Sequence, residues 1–209
     1  MKIIAFGDSI TYGCWDSEGG WVQRLRRYLE QKYPEDILLY NLGVSGNQTD
    51  FLIKRIEQEM HARSQFFEEK TDTLLISIGT NDSAIIKPKK SKNWVDIKSF
   101  QENIREIIHK IKSKHCSLTF IGPFPVDESK TMPVAWNKEV TYTNEEIEKY
   151  SQAIKDICKK EGVLFIDIFN QAIKINYKRL LTDGCHPNSK GHELIFNIVK
   201  DFLEKKKII

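Results

Sequence analysis

Several features that define whole classes of protein are missing from this sequence. No run of about 18 apolar residues occurs, which excludes a transmembrane helix. The four cysteines form no CxxC pair and lack the spacing of disulfide-rich secreted domains. Residues 1–7 contain too short an apolar stretch for a signal peptide. We therefore expect a cytoplasmic protein with reduced thiols.

A strong charge of either sign is also missing. The 32 basic and 29 acidic residues leave a net charge of +3. Basic residues cluster only at 87–92 and 205–207, which is more typical of solvated surface than of a nucleic-acid site. Neither G-x-x-x-x-G-K-[ST] nor G-x-G-x-x-G is present, so the phosphate-binding loops of nucleotide enzymes are absent. We expect no nucleic-acid partner and no stable membrane insertion, and the sequence is compatible with a homo-oligomer.

The composition that is present suits an ordinary globular domain. Of the 209 residues, 40% are hydrophobic and 29% are charged. A globule of this length buries roughly 70% of the surface of its unfolded chain, which is enough for a full core. No repeat, linker or low-complexity segment interrupts the sequence. We expect a single domain over residues 1–209.

Short apolar runs alternate with segments of helical periodicity. The apolar runs predict five strands, at residues 2–6, 37–42, 73–78, 118–121 and 163–166. The periodic segments predict helices at residues 21–33, 48–61, 97–111, 144–160 and 194–203. This alternation predicts an α/β fold with a five-stranded parallel sheet and helices on both faces. Two long loops, 83–94 and 123–143, are expected to be functional or mobile.

Polar motifs stand where these strands end. They are Gly7-Asp8-Ser9-Ile10-Thr11, Asn41-Leu42-Gly43-Val44-Ser45-Gly46, Gly79-Thr80-Asn81-Asp82 and, before the last helix, Asp183-Gly184-Cys185-His186-Pro187. Ligands bind beyond the carboxyl ends of the strands in an open parallel sheet. Each motif alone is common turn chemistry, but their joint occurrence predicts an active site.

A serine and a histidine in these motifs suit acyl transfer, because a serine hydroxyl needs a neighbouring base to become a nucleophile. Ser9 is the candidate nucleophile, and His186 is the candidate base because it lies in a loop bounded by glycine and proline. The other histidines fall in or near helical patterns and are interpreted as surface or packing residues: His61, His109, His115 and His192.

Asp183 lies three residues before His186, a spacing that lets its carboxylate reach the imidazole Nδ1–H. An equally good interpretation of this segment is a turn that starts at Asp183, followed by a helix that starts at His186-Pro187. Three groups are candidate donors to the oxyanion: the backbone N–H of Ser9, that of Gly43, and the side-chain amide of Asn81.

Aromatic residues in the loops suggest a pocket for an apolar acyl or aromatic group, although loop packing explains them equally well. The candidate pocket residues are Asp8, Trp15, Trp94, Phe124 and Trp136. Asp8 is more typical of a turn residue than of an acid–base group.

The four motifs resemble the consensus blocks of the GDSL-type, or SGNH, hydrolases, and they span residues 7–187. The resemblance implies a three-layer α/β/α sandwich with a flavodoxin-like strand order. It also implies that Ser9, Gly43, Asn81 and His186 are the name-giving residues and that Asp183 completes the triad. Ile10 stands where leucine is commoner, which is a conservative departure. Family activities include those of lysophospholipases, thioesterases, arylesterases and carbohydrate deacetylases.

Two other classes of function compete with a serine esterase. A metal-dependent phosphoesterase could use Asp8, Asn81, Asp82, Asp183 and His186 as ligands, but only one histidine is expected at the site. The second is a non-enzymatic nucleotide- or phosphate-binding module, but the sequence lacks the glycine-rich loop that such a module needs. We therefore expect a serine hydrolase of small or short-chain esters without metal or cofactor, with carbohydrate O-deacetylation as the alternative.

Overall fold

The computed structural model describes residues 1–64, 73–87, 92–112 and 116–209. Its strands are β1 (Lys2–Gly7), β2 (Leu38–Gly43), β3 (Thr73–Ser77), β4 (Ile85–Ile86), β5 (Lys92–Asn93), β6 (Ser117–Ile121), β7 (Val140–Thr141) and β8 (Leu164–Ile166). Its helices are α1 (Ser9–Tyr12), α2 (Gly20–Lys32), α3 (Thr49–Ser64), α4 (Ile97–Lys112), α5 (Glu128–Thr131), α6 (Asn144–Glu161), α7 (Ile168–Ala172) and α8 (Ser189–Lys205), and a 3₁₀ turn covers Tyr177–Leu180. No helix in this described part is long and apolar enough to span a membrane.

Five strands form one parallel sheet in the order β2-β1-β3-β6-β8. This order confirms both the predicted fold class and the flavodoxin-like topology. In the register, Gly7 at the end of β1 lies opposite Gly43 of β2 and Ser77 of β3. The polar motifs that follow these three strands therefore begin at the same edge of the sheet.

The two faces of the sheet are covered by separate apolar clusters, because alternate side chains of a strand point in opposite directions. On β1, Ile3 and Ala5 belong to the cluster that includes residues of α2 and α8. Ile4 and Phe6 belong to the cluster that includes residues of α3, α4 and α6. The chain therefore forms the predicted three layers.

The two predicted long loops contain secondary structure. β4 and β5 lie in the first loop and β7 in the second, and together they form a small antiparallel sheet in the order β5-β4-β7. Strands of two residues are too short to show any periodicity in a sequence. Residues 88–91, which hold two of the four lysines of the first cluster, lie outside the described residues.

Candidate active site

Ser9 lies at the first position of α1, two residues after the end of β1. Its Oγ lies 2.9 Å from Nε2 of His186, although the two residues are 177 positions apart in the chain. Nδ1 of His186 lies 2.7 Å from Oδ2 of Asp183. With the imidazole proton on Nδ1, the ring donates to Asp183 and accepts from the Ser9 hydroxyl. The hydroxyl can thus transfer its proton to His186 as it attacks.

Asp183 is held by its own loop. Its Oδ1 accepts hydrogen bonds from the backbone N–H groups of Cys185 and His186, at 2.9 and 2.8 Å. Burial raises the pKa of Asp183, but the hydrogen bonds from His186 outweigh it and lower the pKa to about 2. Asp183 therefore both starts a turn and binds the imidazole, while α8 begins only at Ser189, where the Asn188 side chain caps it.

Two of the expected oxyanion donors keep an N–H that has no partner among the described residues. The Ser9 N–H belongs to the first turn of α1, where N–H groups have no partner within the helix. The Asn81 amide is fixed from both ends, because Nδ2 donates to the Asn47 carbonyl at 3.0 Å and Oδ1 accepts from the Tyr142 hydroxyl at 3.1 Å. The second hydrogen of Nδ2 remains for a ligand.

The structure does not leave the Gly43 N–H free for its predicted role. Its N–H already donates to Oδ1 of Asn41 at 3.0 Å. A Cβ at Gly43 would lie 2.2 Å from the backbone nitrogen of Tyr12. The glycine is therefore needed for the close approach of α1 to the end of β2, which the Asn41 amide reinforces by donating to the Thr11 carbonyl at 2.9 Å.

Gly46 has the geometry that was expected of Gly43. Its φ is +76°, and a Cβ there would meet nothing within 4 Å. Within the described residues its N–H donates to no backbone carbonyl. It directly precedes Asn47, which accepts from Asn81 and is held by the Arg55 guanidinium at 2.8 Å. Only the three-dimensional structure separates the two glycines, since Gly43 ends β2 and Gly46 follows only three residues later.

Two of the five candidate pocket residues lie beside His186. The Trp15 ring meets the imidazole edge-on with centroids 6.1 Å apart, and the Trp136 ring lies 5.5 Å away at 46°. Both side chains are exposed, by 64% and 51%. Trp94 is also exposed. Its backbone N–H donates to the Ala84 carbonyl beside the small sheet.

The other two candidates are not pocket residues. Phe124 is 2% exposed and packs in the apolar cluster beneath α2 and α8, because its segment turns inward after β6. Asp8 is also 2% exposed, and its Oδ1 caps α1 by accepting from the Ile10 N–H at 2.9 Å. Burial raises the pKa of Asp8 to about 6. Neither side chain is available to a substrate.

The other histidines that the structure describes do not belong to the hydrogen-bonded chain of Ser9, His186 and Asp183. His192 of α8 is buried, whereas His61 and His109 lie on the last turns of α3 and α4. His115 lies outside the described residues. Within the described part, no three His, Cys, Asp or Glu side chains converge as metal ligands.

Asp82 holds the start of α3 in place. Its Oδ1 accepts from the backbone N–H of Thr49 at 3.0 Å and from the Thr49 hydroxyl at 2.6 Å. Its Oδ2 is buried and has no hydrogen-bond partner within the described residues. Burial raises the pKa of Asp82 to about 7. The carboxyl thus joins the Asn81 loop to the helix that follows Asn47.

We expect Asp82→Asn to change how stability depends on pH. The native state keeps the Asp82 proton up to about pH 7, whereas the unfolded chain releases it near 3.8. The unfolded state therefore binds fewer protons in this window, and wild-type stability falls as the pH rises through it. Asparagine mimics the protonated acid and abolishes this contribution. A tenfold change in proton affinity equals ~1.4 kcal/mol, so the effect is on the order of a few kcal/mol.

Urea unfolding of both proteins at about pH 5 and about pH 8 measures this difference. The stability of the variant relative to wild type should rise with pH. Asp201→Asn, at a side chain that is 68% exposed, is the control and should show no such trend. A constant difference between wild type and Asp82→Asn at the two pH values would refute the assignment.

Most of the chain matches one known protein family. Residues 5–194 match the GDSL-like lipase/acylhydrolase family. The chain belongs to this family. Acylhydrolases cleave carboxylic esters, so this match confirms the prediction that the chain is a carboxylic ester hydrolase.

Relatives of this GDSL-like acylhydrolase include an isoamyl acetate-hydrolyzing esterase of Saccharomyces cerevisiae, which is 26% identical over 97% of this chain and 86% of its own length. A human homologue of that esterase is 25% identical over 98% of this chain and 82% of its own length.

Solved structures share the fold of this GDSL-like acylhydrolase. A lipase/acylhydrolase from Enterococcus faecalis is 22% identical with a TM-score of 0.78, over 98% of this chain and 96% of that one. An acetylxylan esterase from Geobacillus stearothermophilus is 24% identical with a TM-score of 0.73, over 97% and 92%. Variants of that esterase with a serine, an aspartate or a histidine changed to alanine are described as catalytic mutants.

Proposed function

We propose that this chain hydrolyses esters of short acyl groups, above all acetate, through an acyl-enzyme on Ser9. The observation that carries the proposal is the continuous hydrogen-bonded chain from Ser9 through His186 to Asp183. The serine, aspartate and histidine of the catalytic mutants in the acetylxylan esterase are the same three residue types.

In the first step, Ser9 Oγ attacks the acyl carbonyl and His186 Nε2 takes its proton. Asp183 stabilises the imidazolium that forms, since it stays ionised throughout the neutral range. The negative oxygen of the tetrahedral intermediate accepts from the Ser9 N–H, the Gly46 N–H and the Asn81 amide. His186 then returns the proton to the leaving alcohol, and the carbon–oxygen bond to that alcohol breaks.

In the second step, His186 removes a proton from water as the water oxygen attacks the acyl carbon. The same donors hold the second tetrahedral intermediate. Its collapse breaks the bond to Ser9 Oγ, which recovers a proton from His186, and the carboxylic acid leaves. One ester and one water thus give one acid and one alcohol.

The preference for acetate is supported by the names of two similar proteins. The yeast relative is named for isoamyl acetate, and the Geobacillus neighbour is an acetylxylan esterase. These two acetate esters differ in their alcohols, one aliphatic and one carbohydrate. The shared acyl group is therefore the conservative inference, and the alcohol is what distinguishes the two candidate activities.

A panel of p-nitrophenyl esters tests the acyl preference. We expect kcat/KM to be highest for the acetate and to fall through the butyrate to the octanoate. Isoamyl acetate should be cleaved by wild type. An octanoate faster than the acetate would contradict the short-chain proposal, and wild-type turnover no faster than that of Ser9→Ala would contradict hydrolysis itself.

Carbohydrate O-deacetylation is the second candidate, favoured by the exposed Trp15 and Trp136 beside His186. Indole faces are large apolar surfaces on which a sugar ring can pack. Acetylated xylo-oligosaccharides belong in the same panel for this reason. A kcat/KM for them more than about tenfold above that for isoamyl acetate would establish the deacetylase in place of the simple esterase.

A further inference from the structure

Trp15 is exposed to solvent, yet its side chain is hydrogen-bonded to Asp183. Its indole Nε1–H donates to Oδ2 of Asp183 at 3.1 Å, the same oxygen that accepts from His186. We propose that Trp15 is a positioning residue, which holds the Asp183 carboxylate and strengthens that hold when substrate covers the indole. This inference rests on the proposed function of the same site.

The Asp183 carboxylate has a full set of donors only when Trp15 is included. Oδ1 takes two backbone N–H groups, those of Cys185 and His186. Oδ2 takes His186 Nδ1 and the Trp15 indole. The first pair holds Oδ1 against the loop. The carboxylate could still rotate about an axis through Oδ1, and the second pair limits this rotation. Loss of the indole donor leaves His186 as the only partner of Oδ2 among the described residues.

The loop that carries Trp15 is anchored on both sides. Before it, Nε2 of the buried His192 donates to the Cys14 carbonyl at 3.3 Å. After it, Asp16 accepts from the Gly20 N–H at 2.9 Å and forms an ion pair with Arg24. These contacts restrain the backbone of residues 14–20.

The backbone of Trp15 itself is also informative. Its φ of +64° lies in the left-handed region, which residues other than glycine rarely adopt. Such a conformation persists where surrounding contacts over-determine it, and it is most common at functional sites. Here it turns the indole toward His186 and Asp183 instead of toward solvent alone.

Substrate should strengthen this bond. In the free protein the indole–carboxylate bond is exposed, so water competes for both groups. A substrate that packs on the indole excludes this water, and an electrostatic hydrogen bond is stronger where the local dielectric is lower. The Asp183 carboxylate is needed most when His186 becomes an imidazolium in the transition state, so loss of this donor should reduce kcat more than it raises KM.

Trp136 offers a matched control, because it is the same residue type on the other side of the imidazole. Its ring is as close to His186 as that of Trp15 and similarly exposed. Among the described residues, however, its indole makes no hydrogen bond to the triad. Replacing each tryptophan by phenylalanine keeps a ring at both positions and removes an N–H that matters only at Trp15.

The experiment compares Trp15→Phe and Trp136→Phe with p-nitrophenyl acetate as the probe. We expect Trp15→Phe to lower kcat about tenfold with KM within about threefold, since a hydrogen bond to a charged group is lost. Trp136→Phe changes a ring that can contact substrate, so its effect should fall mainly on KM, and it should lower kcat several-fold less than Trp15→Phe does. The inference is overturned if kcat of Trp15→Phe stays within twofold of wild type, or if both variants lower kcat equally.

A second measurement keeps the test independent of folding and of activity. The proton NMR resonance of the His186 Nδ1–H···Oδ2 bond should shift in Trp15→Phe and remain in place in Trp136→Phe. Circular dichroism checks that both variants fold. If wild type cleaved no ester of the panel, the proposed function would fail while the resonance still tested Trp15. An unshifted resonance in Trp15→Phe would overturn the inference alone.

Discussion

Replacing Ser9 by alanine is expected to lower kcat by about 10⁶-fold, because the proposed acyl-enzyme forms on the Ser9 hydroxyl. The change removes only the Oγ that lies 2.9 Å from His186 Nε2. Alanine is favoured in a helix, so α1 and its Asp8 cap should form as before. We measure turnover of p-nitrophenyl acetate and labelling of the nucleophile by a fluorophosphonate, and both should be lost together.

Ser151→Ala is the matched control for this variant. Both serines are buried on helices, Ser151 with 4% and Ser9 with 6% of its surface exposed. Ser151, however, lies on α6 and packs beside Gly122. The control should keep wild-type kcat and remain reactive toward the fluorophosphonate. Retention of more than a few per cent of the wild-type rate by Ser9→Ala would mean that the nucleophile has been misassigned.

The five main strands could be predicted because each is a short, nearly continuous apolar run. β1 lies between two neighbours with helices on both faces, and its residues Ile3 to Phe6 are all fully buried. A strand covered on both faces reads as an apolar run without alternation. The small sheet of β4, β5 and β7 could not be predicted, because two-residue strands are determined by their partners and carry no pattern of their own.

The contact between Ser9 and His186 was predictable in spite of the 177 positions between them. Parallel strands place their carboxyl ends at one edge, and a ligand site at that edge follows from topology. The choice between Gly43 and Gly46 did not follow from topology. It depends on which N–H is already bonded, and that is fixed by the Asn41 side chain.

Aromatic residues in loops were the hardest to place from the sequence. Phe124 and Trp136 stand in the same predicted loop, yet one is buried in the core and the other lies beside His186. Composition cannot separate them, because a loop residue is buried or exposed according to the path of the backbone. The hydrogen bond from Trp15 to Asp183 could not be predicted for the same reason. It depends on the paths of two loops whose residues are 168 positions apart in the chain.

Asp183→Asn is expected to lower kcat by about 10⁴-fold while leaving the fold intact. The carboxylate accepts four hydrogen bonds and donates none, whereas an asparagine amide must present N–H groups on one side. If its oxygen keeps the backbone N–H groups of Cys185 and His186, its nitrogen faces His186 Nδ1. That ring nitrogen must then accept, which moves the imidazole proton to Nε2.

An imidazole with its proton on Nε2 cannot take the proton of Ser9, so the variant fails at the first step although every residue keeps its place. Asp201→Asn makes the same chemical change at a surface position and should retain wild-type kcat. A loss of only a few fold in Asp183→Asn would show that the backbone alone orients His186 and that the carboxylate is dispensable. The expected loss, together with a wild-type circular dichroism spectrum, would instead support the role of the Asp183 carboxylate in selecting the catalytic tautomer.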